Sequence, residues 1–193
     1  LHSFPTRRSS DLHIGEVRAY IGKGIDFIKY ASSEHRWGDP STFLLFSQQS
    51  QTAIVAEAHR AGITAQAHTT SVESLRVAVE AGSDLIQHCN LSGPIPIPES
   101  TLELMVKHGT AAAVFPLTQK RFDWLMETCQ IDRKYFSTSD DNCRNLMRSG
   151  TLLLLATDGM IFAPDVATDP VFSKFWLAPG EDNLNDLATG HFV

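Results

Sequence analysis

Ala58-His59-Arg60-Ala61-Gly62-Ile63-Thr64-Ala65-Gln66-Ala67-His68 is the stretch whose reading decides the fold. Its first part closes a helix-period segment, 48–61, with Ala53, Ile54, Val55, Ala56 and Ala58 as the apolar positions. Gly62 then stands where helices commonly end on a left-handed residue. Ile63 to Ala67 is short and largely apolar, as a strand of a parallel sheet is, and a histidine comes directly after it. The phrase helix, glycine, strand returns at Ala81-Gly82-Ser83, His108-Gly109-Thr110 and Ser149-Gly150-Thr151.

Working outward, Ile25-Asp26-Phe27-Ile28-Lys29-Tyr30 is a β-branched and aromatic run that predicts a strand. Downstream, a helix is expected over 71–81, with Ser71 as N-cap and Ser74 three residues on. Next come a strand over 84–87, the rigid Gly93-Pro94-Ile95-Pro96-Ile97-Pro98 loop and a helix over 99–108. Strands at 110–115, stopped by Pro116, and at 151–156 flank a helix over 140–149. Repeated βα units predict an α/β fold with a parallel sheet and helices outside it. Five such strands without a Gly-x-Gly-x-x-Gly turn favour part of a (β/α)8 TIM barrel over a dinucleotide-binding sheet. A doubly wound sheet stays open at this point, because strand periodicity does not show closure.

Composition narrows the function. The 193 residues carry 16 basic and 22 acidic side chains, a net charge of −6. No basic stripe survives that balance, which argues against nucleic acid or an anionic membrane as partner. The longest apolar run, 152–156, is too short to span a bilayer. Three cysteines, Cys89, Cys129 and Cys143, without a Cys-x-x-Cys, argue against a disulfide framework or a thiolate zinc cluster. A reducing, cytoplasmic setting is the expectation. Residues 1–12 share no period with the rest of the chain. His2-Ser3-Phe4-Pro5-Thr6-Arg7-Arg8-Ser9-Ser10-Asp11-Leu12 resembles the translation of a sequencing adapter and is set aside from fold reasoning. Residues 183–193 stop without a cap, so 13–193 is read as an internal piece of a longer frame.

Parallel α/β folds build their sites where strands end and βα loops begin. The first run delivers Lys29 there, the second His68, the third His88 and the last Thr157-Asp158-Gly159. Imidazole and carboxylate are the usual ligands of a hydrolytic divalent metal. Each residue has a plainer reading: an exposed lysine, two core histidines, a turn aspartate before glycine. Their joint placement at strand ends favours one site. His59 and His108 close helices, where a cationic side chain suits the dipole. His35 lies in a polar loop, and Asn90-Leu91-Ser92 matches a glycosylation acceptor only weakly.

Asp26-Phe27-Ile28-Lys29, Ala58-His59-Arg60-Ala61-Gly62-Ile63 with Ala67-His68, Ala81-Gly82-Ser83-Asp84-Leu85-Ile86-Gln87-His88 and Ala156-Thr157-Asp158-Gly159 together resemble the metal-dependent amidohydrolase superfamily over about residues 15–160. The likeness is nearest to its binuclear branch, with imidazolonepropionase-like and Xaa-Pro dipeptidase-like members. It implies that Lys29 ends barrel strand four and is carbamylated, and that His68, His88 and Asp158 end strands five, six and eight. Strands one to three are then missing, with the His-x-His pair that ends strand one. No His-x-His occurs in the 193 residues. Deaminase-type members use one metal and need no bridging lysine.

The resemblance also implies a mechanism. The Lys29 carbamate bridges two divalent cations, zinc by default, and His68 and His88 hold one of them. A hydroxide between the cations attacks a C–N bond in an amide, peptide-like or cyclic amide substrate. Asp158 serves as metal ligand, general base and then acid toward the leaving amine. Other readings are a lactonase or phosphotriesterase relative, and a catalytically silent piece lacking half of the metal site. The partner is a small-molecule or dipeptide-like substrate, and unpaired edge strands predict poor solubility alone.

Overall fold

The structure, a computed structural model, describes residues 9–34, 43–115, 123, 126–127 and 138–156. Its strands are β1 (Phe27–Ala31), β2 (Thr64–His68), β3 (Leu85–Gln87), β4 (Ala111–Val114) and β5 (Leu153–Leu155). Its helices are α1 (Ser9–Ile21), α2 (Gln48–Arg60), α3 (Val72–Glu80), α4 (Glu99–His108) and α5 (Ser139–Ser149), with a 3-10 turn at Cys89–Leu91.

All five strands form one parallel sheet in the order β1-β2-β3-β4-β5. Spatial order and chain order coincide. A doubly wound sheet reverses its order at a switch point, and the described strands contain no reversal. Right-handed crossovers then put every connecting helix on one face. The helices touch in sequence, α1 with α2, α2 with α3, α3 with α4 and α4 with α5. An α/β layer wound in one direction is consistent with a partial TIM barrel.

Local chemistry starts and stops these elements. The Ser47 hydroxyl accepts from Ser50 N at 3.2 Å to begin α2. Ser71 and Ser74 form a reciprocal capping box at the head of α3, each hydroxyl accepting the other's main-chain N–H at 3.1 Å. Gly82 and Gly109, at φ +92 and +69, reverse the chain from helix into strand in a region that strains any other side chain.

The sequence did not foreshadow α1. Its apolar positions are weakly patterned, and it begins at Ser9, inside the segment set aside for its adapter-like sequence. Burial of Val17 and an ion pair join it to α2: Arg18 Nε and Nη2 each donate to the Glu57 carboxylate at 2.8 Å.

The core lies between the outward sheet face and the helices. Ile28, Tyr30, Ala65, Ala67, Ile86, Ala112 and Val114 are buried there against Ile54, Ala58, Leu75, Val79, Met105 and Leu146. Alternation along each strand sends the remaining residues to the opposite, inner face. That face is polar at its centre, and among the described residues it is open enough to leave Phe27 45% exposed.

Candidate metal centre

Register and alternation together place the site. Lys29 pairs with Gln66, Ala31 with His68, and His68 with Gln87. Lys29, Gln66, His68 and Gln87 therefore share the inner face. His68 is the last residue of β2, and His88 comes directly after β3. Lys29 lies in the middle of β1, which continues to Ala31, so it stands deeper along the strand than a strand end.

The two histidines meet. His68 Nδ1 and His88 Nε2 are 2.7 Å apart, the ring centroids are 4.5 Å apart, and the planes cross at 72°. Both residues are buried. A contact that short between ring nitrogens is a hydrogen bond, with one ring donating and the other accepting. Lys29 is exposed but lines the same cavity as His68, about 340 Å3, together with Ala31, Ser33 and Leu45. Lys29 and His68 thus line one cavity, and His88 meets His68. Asp158 lies outside the described residues.

The donor set fits a cation in part. Among the described residues no group of three or more His, Cys, Asp or Glu side chains gathers for a metal ion. Two adjacent imidazoles supply a pair of ligands. A tetrahedral ion with Zn–N bonds near 2.0–2.1 Å sets its nitrogens about 3.3–3.4 Å apart. Opening the 2.7 Å contact by less than about 1 Å would let an ion replace the shared proton.

A buried polar layer holds the loops around this pair. The Thr70 N–H donates to Ser33 Oγ at 3.0 Å, and Thr70 Oγ1 donates to Glu34 O at 2.9 Å. Thr69 Oγ1 and Ser92 Oγ are 2.9 Å apart. Asn90 brackets the end of β4, donating to Phe115 O at 2.9 Å and accepting from Phe115 N at 2.7 Å. Its amide is buried and bonded on both sides, which removes the Asn90-Leu91-Ser92 acceptor reading. Burial pushes the Cys89 thiol up, and pushes Cys143 up to about 12. Both are free cysteines and stay protonated at neutral pH; Cys129 lies outside the described residues.

The remaining described histidines are elsewhere. His59 Nε2 lies 2.8 Å from Asp84 Oδ2, which also accepts from Ala65 N at 2.8 Å. His108 Nδ1 donates to Val79 O at 3.2 Å. Both are at the amino ends of the strands, beside helix C-termini. His35 and His191 lie outside the described residues. Sequence reasoning missed Asn142, which sits in Asp140-Asp141-Asn142-Cys143 with no local sign of burial, yet is 0% exposed. It also missed the Gln87 to Gln66 amide bond, 2.6 Å, on the inner face.

No protein-family model matches the sequence, and no curated protein matches it. Solved structures do. The arc is similar to molinate hydrolase, with TM-score 0.71 and 28% identity, covering 83% of this chain and 35% of that one. It is similar in fold to phenylurea hydrolase B, with TM-score 0.69 and 24% identity, covering 87% and 39%. A Xaa-Pro dipeptidase with bound methionine in its active site shares the fold at TM-score 0.63 and 18% identity, over 90% and 48%. These likenesses, the first at 28% identity, are consistent with the amidohydrolase resemblance carried by the sequence. It spans between about a third and a half of the length of these three structures.

Proposed function

We propose that the protein is a metal-dependent hydrolase of C–N bonds in amide, peptide-like or cyclic amide substrates, and that Lys29, His68, His88 and Asp158 belong to its metal-holding group. The observation that carries this reading is the buried His68–His88 contact of 2.7 Å at the ends of adjacent strands, with Lys29 on the same cavity. The likeness to molinate hydrolase, a hydrolase at 28% identity, supports it from outside the geometry.

His68 and His88 would hold one divalent cation, zinc by default, through neutral ring nitrogens. A neutral Lys29 amine would add carbon dioxide at Nζ, losing one proton to give a carbamate that binds as a carboxylate does. The chemistry such cations would supply when bound is a water of lowered pKa and a polarised carbonyl. Asp158 would take the proton from the attacking water and pass it to the leaving amine. A second cation needs further ligands, since the chain has no His-x-His.

Metal content and turnover should be measured on the 193-residue chain and on a longer polypeptide that supplies a His-x-His strand. The substrates are dipeptides, N-acyl amides and cyclic amides, with esters and lactones alongside. Metal-dependent amide cleavage that His68→Asn or His88→Asn removes supports the proposal. Ester or lactone cleavage alone would move the reading to a lactonase-like relative. A metal-loaded longer protein that cleaves nothing would end it.

A further inference from the structure

We propose that Asn142, on α5, is a positioning residue for the histidine pair. Through the main chain of the turn after His88, it holds His88 in the backbone conformation that aims Nε2 at His68. The metal side of this inference rests on the function proposed above; the geometric side stands without it.

His88 has φ 39 and ψ 43, the left-handed region, and is the only non-glycine residue with positive φ among the described residues. Side chains with a Cβ resist that conformation unless their surroundings impose it. The turn's own bonds, Leu91 N to His88 O at 2.9 Å and Ser92 N to Cys89 O at 3.1 Å, close it locally. Asn142 fastens it from outside. Its Nδ2 donates to Asn90 O at 3.1 Å and to Ser92 O at 3.0 Å, and its Oδ1 accepts from Ile97 N at 2.9 Å. One fully buried amide thus grips the turn at two carbonyls and the loop beyond it at an N–H.

The neighbouring amide cannot take over that work. Both ends of the Asn90 side chain are engaged with the Phe115 main chain. Removing the Asn142 amide leaves two buried carbonyls and one N–H without that partner. Buried main-chain groups seek replacements. Here the accessible response is rotation of the peptides at 90 and 92, which lets His88 relax toward negative φ. Its ring then leaves His68.

The test compares Asn142→Ala with Met105→Ala, a core truncation of a fully buried side chain on α4. Each variant of the 193-residue chain is measured in two ways. Long-range 1H–15N correlation spectra, without metal, report which ring nitrogens carry the proton and whether coupling crosses the His68–His88 hydrogen bond. Titration with Co2+ alone reports ligand geometry by its visible spectrum and gives an affinity. The expected result is loss of the cross-bond coupling and Co2+ binding weakened about 10–100-fold in Asn142→Ala. Met105→Ala should melt earlier with both readouts unchanged. If Asn142→Ala does not fold, the isosteric Asn142→Asp, which keeps an acceptor and loses both donations, is judged by the same criteria. A folded Asn142 variant with wild-type coupling and affinity would overturn the proposal, as would Met105→Ala changing both readouts equally. A wild-type chain that takes up no Co2+ would instead remove the metal reading, and the metal-free spectra would still decide the role of Asn142.

Discussion

The two rims of the sheet both carry histidines, exposed at one and buried at the other, and they use them in opposite ways. At the amino-end rim, His59 meets Asp84 and His108 meets the Val79 carbonyl. Each ring there has a partner of another type and closes a helix. At the carboxyl-end rim, His68 and His88 meet each other, and His88 holds a left-handed backbone to do so. A histidine bonded to a carboxylate or carbonyl is a structural fastener. Two imidazoles sharing one proton in a buried polar layer are, on the function proposed above, the place where a cation would take the proton's position. In a parallel α/β layer, strand direction separates these roles, since βα loops build the site at one end and αβ loops stabilise the other.

Both rims hang on one core, and breaking it should abolish the contrast altogether. Leu75→Ala removes a fully buried α3 side chain, with an expected loss of about 2–5 kcal/mol by chemical denaturation. The rims should fail together in a single transition.

The contrast itself is sharpened by matched histidine substitutions. His88→Asn, a residue that tolerates left-handed backbone, should fold while Co2+ affinity falls by roughly 100-fold, the upper end for residues supporting a metal site. His59→Asn should leave that affinity unchanged in the same titration. Equal losses from the two would erase the distinction.

Asp84→Asn tests the amino-end rim alone. The change weakens acceptance from His59 and from Ala65 N, and should cost about 1–2 kcal/mol in urea unfolding. The His68–His88 spectrum should not move.

The smallest effect is electrostatic. Side-chain hydrogen bonds from Arg18 and then Arg60 hold the Glu57 carboxyl at about 2, below its ordinary 4.5. Because the folded form stays ionised to lower pH, its contribution is complete above about pH 4.5 and is lost as pH falls toward about 2. Melting temperature followed over that window should drop less steeply in Glu57→Gln. An identical slope would mean that the ion pairs of Glu57 with Arg18 and Arg60 contribute nothing measurable.

Much of this is legible in the chain itself. Caps at Ser71 and Ser74, stops at Gly62, Gly82, Gly109 and Gly150, and the short strands between them are local events, set by φ preference and neighbouring side chains. The placement of His68 at the end of β2 and of His88 just beyond β3 comes from those stops. Lys29 stands one alternation deeper than the strand end that its run suggests, because β1 continues to Ala31 and nothing local marks its last residue. The α1 helix is hidden because its stability comes from Val17 and Arg18 meeting α2, and its own pattern is weak.

What the sequence determined by itself is a series of βα units with a lysine and two histidines spaced to arrive on one side of a sheet. Only the tertiary structure decided the strand order, unreversed among the described strands, the 2.7 Å meeting of His68 with His88, and the reach of Asn142 to a turn 50 and 52 residues earlier. The physical reason is range. Capping and alternation act over one to four residues, whereas strand pairing and buried amide bonds are settled by which distant groups share a dry interior.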